Sequence, residues 1–200
     1  MKKNHLLAAI AFIFIAHIFL YHQISVVGAI YISDENGVLE NLQVLILFIS
    51  MLIFLIASIY SKKRDRAVLF SGALLCLTFL LREVDVEDLD VWQIFIFLGS
   101  GAGRNVFLSV LWLMMFVVVW KDFSYYRALF VRLLFAMPGG LFVTGGILLL
   151  AGSLFDNNVF DVKFYRLYEE LLEMNGYYFI LLSSIATSYF LYDIRSKDNL

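Results

Sequence analysis

Residues 38–60 read VLENLQVLILFISMLIFLIASIY, from Val38 to Tyr60, and this stretch decides the fold. At about 1.5 Å of rise per residue a helix over it covers roughly 34 Å, enough to cross a hydrocarbon core ~30 Å thick. A helix is the expected form, because lipid offers backbone N–H and C=O groups no partners.

Working outward, five more apolar blocks follow the same logic: Leu6 to Ile32, Ala67 to Val84, Asn105 to Trp120, Leu129 to Phe155, and Leu171 to Tyr192. Composition agrees, with 62% apolar and only 16% charged residues, an excess of apolar side chains that has to face lipid. The connectors are too short for a soluble domain. The expected fold is therefore an all-α, six-helix bundle forming one membrane domain over residues 1–200. The run from Leu6 to Val27 is longer than a signal-peptide core, which predicts an uncleaved anchor.

Lysine and arginine resist translocation and set orientation. With the N-terminus inside, Lys2, Lys3, Lys62, Lys63, Arg64, Arg66, Lys121, Arg127, Arg132, Arg195 and Lys197 are cytoplasmic, and Arg82, Arg104, Lys163 and Arg166 are outside. Every connector agrees, predicting both termini in the cytoplasm. The short loops, and outer segments without glycosylation sequons, point to a bacterial inner membrane. A net charge of -2 and a pI near 5.9 argue against a nucleic-acid partner, which needs a basic stripe. The single cysteine, Cys76, lies in an apolar block and forms no intramolecular disulfide.

Asp34-Glu35-Asn36-Gly37 reads as a tight outer turn before the second span. Trp92 to Leu98 is too short to span and is expected to lie along the outer interface, followed by the glycine loop Gly99-Ser100-Gly101-Ala102-Gly103. Pro138-Gly139-Gly140 predicts a kink in the fifth span, and Gly140, Thr144, Gly145 and Gly152 offer a ridge for close helix packing.

Depth gathers the polar residues. Counting from the cytoplasmic border, His22, Gln23, Arg82 and Arg104 lie roughly 24–25 Å up, and Glu40, Gln43, Glu83, Glu173 and Asn175 roughly 26–33 Å up. Ionisable groups at this depth are costly unless paired or wet, so they are expected to face a shared pocket or to close salt bridges at the rim. Glu40 and Gln43 share a helix face, as do Arg166, Glu169 or Glu170, Glu173 and Tyr177, above a hydroxyl stripe at Ser183, Ser184, Thr187 and Ser188.

Three uses of this layer are open. Oxygen ligands at Glu40, Glu83, Asp85, Glu170 and Glu173 suit a divalent cation. Arg82, Arg104, His22, Gln43 and the amides of Gly101 and Gly103, ahead of a helix N-terminus, suit an anionic head group such as a lipid phosphate. There Glu40, Glu83 or Glu173 would act as base or ligand. The layer could instead be the vestibule of an ion-coupled transporter or channel subunit, with His17 near mid-membrane and the spans oligomerised. Its acidic loops could also dock a non-enzymatic assembly partner. With His5, His17 and His22 the only imidazoles, no His-rich zinc site can be written.

The patterns Asp34-Glu35-x-Gly37-x-x-Glu40 and Arg82-Glu83-x-Asp85 resemble those of some small, uncharacterised bacterial polytopic membrane proteins. The resemblance implies an inner-membrane location and an acidic outer site.

Overall fold

The computed structural model describes residues 37–84, 86–156 and 165–197, together with 15, 18–20, 22, 23 and 26. Most of the expected first span, with His17, lies outside the described residues, as do Asp34-Glu35-Asn36, Asp85 and Lys163.

Every regular element among the described residues is helical. In chain order they are α1 (Val38–Tyr60), α2 (Arg66–Glu83), a 3-10 turn (Val86–Asp88), α3 (Gln93–Gly99), α4 (Gly101–Lys121), α5 (Phe123–Leu134), α6 (Met137–Asp156) and α7 (Tyr165–Lys197). Three of these helices, α1, α4 and α6, are long and apolar enough to cross a membrane. α2 carries Arg66, Arg82 and Glu83 within its 18 residues, and α7 dilutes its apolar run with hydroxyls and tyrosines. At 33 residues, α7 is about 50 Å long, more than the hydrocarbon thickness, so part of it lies beyond any span it makes.

The fifth expected span, 129–155, is two helices in the structure. α5 ends at Leu134, and α6 begins at Met137. Pro138 explains the position of the break: its ring would clash with the carbonyl four residues back, at Leu134, so the interruption falls before the proline rather than at it. Pro138 sits in the first turn of α6, where its missing N–H leaves no helical bond unmade. A side chain at Gly139 would strike the Leu133 and Leu134 backbone. Ser183 Oγ donates to the Pro138 carbonyl at 2.9 Å.

The chain divides into two compact units. The first combines Met1–Gln43 with Phe142–Phe179. Its core sets Leu39 of α1 against Leu167 of α7, with Leu20, Leu171 and Met174 packed around them. α6 meets α7 closely in this unit: a Cβ at Gly176 would lie 2.7 Å from Leu149 Cγ and 3.1 Å from the Gly145 carbonyl, and one at Gly152 would lie 3.0 Å from Glu173 Cγ. Gly145 and Gly152 of the predicted ridge are buried, whereas Thr144 is exposed and a Cβ at Gly140 would meet nothing.

The second unit combines Val44–Leu141 with Ile180–Leu200. Gly72 of α2 faces the ring of Phe54 on α1, and the Trp112 indole of α4 donates to Thr78 Oγ1 of α2 at 3.2 Å. A buried indole N–H needs such a partner. Along α4, Val106, Leu113, Met114 and Phe116 point away from the protein, each about 60% exposed. So long an uncovered apolar face fits a lipid surrounding. α3 is likewise apolar and uncovered, with Trp92 at its start 80% exposed.

Candidate functional site

In the first unit the polar residues converge on Glu170. Gln43 is the third polar side chain of α1 after Glu40 and Asn41, and it is fully buried. Its Nε2 donates to Glu170 Oε2 at 2.8 Å and to the Glu170 carbonyl at 3.2 Å. Two donations from one amide hold the first turns of α1 and α7 together. Gln43 Oε1 is buried and has no hydrogen-bond partner among the described residues. Glu173, one turn along α7 from Glu170, is also buried, at 8% exposure, and lies against Gly152 of α6.

Glu170 precedes the expected sixth span by one residue. Burial, followed by the neighbouring charges of Glu173, Glu40 and Glu169, pushes its carboxyl up from 4.5 to about 7. The Gln43 hydrogen bond works in the opposite direction, because it favours the carboxylate. The result is a carboxyl that changes charge near neutral pH, a property an isolated glutamate lacks.

Asp85 lies outside the described residues, and the other predicted site residues divide between the two units. His22 belongs to the first unit and is exposed. Arg82, Glu83, Gly101, Gly103 and Arg104 belong to the second unit. Arg82 embraces its neighbour Glu83 through Nη2 at 2.8 Å and Nε at 2.9 Å, with its guanidinium 6.0 Å from the Phe79 ring centre. Arg104 Nη1 donates to the Leu81 carbonyl at 2.7 Å, satisfying an acceptor in the last turn of α2.

The glycine loop serves tight packing. Gly101 takes a φ of +50°, the left-handed conformation that lets the chain leave α3 and enter α4 at once. A side chain at Gly103 would overlap the Phe97 carbonyl, and one at Gly99 would overlap Val86. Ser100 Oγ turns back to the Ile96 carbonyl at 2.8 Å instead of capping α4. Among the described residues no group of three or more His, Cys, Asp or Glu is placed to hold a metal ion.

The hydroxyl stripe of α7 is buried at Ser183, Ser184 and Thr187. Ser184 and Ser188 give their hydrogens to carbonyls of their own helix.

Sequence reasoning did not single out a cluster joining the α1–α2 connector to the first turn of α5. The Tyr125 hydroxyl donates to Asp65 Oδ1, the Tyr126 hydroxyl donates to the Arg64 carbonyl at 2.9 Å, and the Arg64 guanidinium sits 5.3 Å from the Tyr125 ring centre. Asp65 is the residue preceding α2, a position at which the helix dipole favours a negative charge. Burial and the Asp65 hydrogen bond push the Tyr125 phenol up to about 12, and burial raises Tyr126 as well. Adjacent tyrosines beside a charged connector were the available signal.

No protein-family model, curated protein or solved structure matches this chain.

Proposed function

We propose that this chain is a six-span protein of a bacterial inner membrane, with both termini cytoplasmic, and that Glu170 is the proton-binding group of an ion-coupled transporter or channel subunit. The observation that carries this reading is the Glu170 carboxyl: it is held by a fully buried amide, surrounded by Glu173, Glu40 and Glu169, and raised to about 7. The bias of lysine and arginine in the connectors supports the topology.

A pocket for a lipid phosphate has less support. Arg104 is engaged with the Leu81 carbonyl and Arg82 with Glu83, so each would have to leave a protein partner to hold a head group.

The test is proton flux through the purified full-length chain in liposomes carrying an internal pH dye. Wild type is expected to dissipate an imposed pH gradient, and Glu170→Gln to abolish this while remaining folded. Equal flux from the two proteins overturns the reading.

A further inference from the structure

The second unit contains a cleft that none of the preceding roles uses. It has a volume of about 380 Å³ and lies between α2, α4 and α5. Val68, Val119, Phe123 and Phe130 make its walls, with Ser71 and Tyr126 among them and Arg127 lining it too. The polar groups on the walls are already committed: Ser71 Oγ donates to the Ala67 carbonyl and the Tyr126 hydroxyl to the Arg64 carbonyl. Arg127 is exposed and has no hydrogen-bond or ion-pair partner among the described residues. The cleft therefore offers a ligand apolar walls and one uncommitted cation.

The surroundings specify the ligand's charge. Tyr125 and Tyr126 tie the α1–α2 connector to the first turn of α5 beside the cleft. Over residues 61–66 and 121–132 the chain carries Lys62, Lys63, Arg64, Arg66, Lys121, Arg127 and Arg132 against only Asp65 and Asp122. An apolar cavity of this size with a few polar groups has the make-up of a small-molecule site. Placed at the end of membrane-length α4 under a cationic rim, it matches a molecule that is apolar at one end and anionic at the other.

We propose that this cleft seats one acyl chain of an anionic phospholipid, with Arg127 holding its phosphate. The site is independent of Glu170 and stands whether or not the proton reading does.

The experiment uses the full-length protein in vesicles of phosphatidylcholine, with and without phosphatidylglycerol, each doped with the matching lipid bearing a diazirine near the acyl terminus. Photolabelled peptides are then mapped. Labelling is expected to concentrate on the cleft walls around Val119 to Phe130 and to favour phosphatidylglycerol. Arg127→Gln, an exposed substitution compatible with folding, should cut that preference about fivefold, the scale of one cationic side chain at an anionic surface. Val119→Trp, which fills the cleft, should remove the concentrated labelling for both lipids. Labelling spread evenly over the uncovered face of α4, or a head-group preference unchanged in Arg127→Gln, overturns the proposal.

Discussion

Gln43 and Glu170, 127 residues apart in the chain, meet through a 2.8 Å hydrogen bond from the buried carboxamide to the carboxyl. The same amide nitrogen also reaches the Glu170 backbone, so the contact fixes both the side chain and the start of the helix that bears it.

The pH dependence of stability follows from this contact. Glu170 has its proton affinity raised on folding, from 4.5 to about 7, so the native chain binds a proton more tightly than the unfolded chain. The sign is that of a raised acid: its contribution is fully present below pH 4.5 and is lost as pH rises through about 7. Thermal unfolding in detergent should show wild type losing stability over that window relative to Glu170→Gln. Parallel pH profiles would contradict the assignment.

Removing the amide should move the same titration. Gln43→Leu deletes the donor that favours the carboxylate, so the Glu170 carboxyl should ionise at higher pH than in wild type, as read from its infrared carboxyl band. The variant should also lose about 1–3 kcal/mol, the usual cost of a buried polar group left without its partner. An unshifted band would mean that the hydrogen bond does not form in solution.

The approach of α6 to α7 can be measured by contrast. Gly176→Ala places a methyl 2.7 Å from Leu149 Cγ and 3.1 Å from the Gly145 carbonyl, and overpacking of this kind costs about 1–3 kcal/mol. Gly140→Ala meets nothing within 4 Å and should be neutral or stabilising by up to ~1 kcal/mol. Equal unfolding temperatures for the two variants would show that α6 and α7 are not in contact at Gly176.

At the connector clasp, Tyr125→Phe removes the hydroxyl that Asp65 accepts. Spectrophotometric titration should lose a tyrosine that ionises near pH 12, and protease cleavage at Lys62 and Lys63 should accelerate several-fold as the connector loosens. The Arg64–Asp122 pair, at 3.5 Å with both partners largely exposed, cannot substitute, because such pairs contribute little.

Legibility in the sequence followed how local each constraint is. α1 was read residue for residue, since its apolar run is bounded by Gly37 on one side and by Ser61-Lys62 on the other. The face of α7 was legible from the spacing of Arg166, Glu169 or Glu170, and Glu173. The break before Met137 was misplaced by a few residues because a proline ring acts on the carbonyl four positions earlier. Gly101, Gly103 and Arg104 read as an anion cradle, a pattern that free helix-terminal amides and a cation share with a tight reversal capping another helix. The bond from Arg104 to the Leu81 carbonyl is a tertiary fact that spacing along the chain does not carry. The Tyr125–Asp65 clasp was hidden for the same reason.

The vacant lone pairs on Gln43 Oε1 have one more implication. An ionised Glu170 asks its neighbour for a hydrogen, whereas an acid Glu170 has one to give. Rotating the terminal carboxamide half a turn would offer its oxygen to that hydrogen, at the cost of the bond from Nε2 to the Glu170 carbonyl. The orientation of this amide is therefore a built-in reporter of charge state, visible as two sets of side-chain nitrogen resonances that exchange intensity as the buffer is made more acidic.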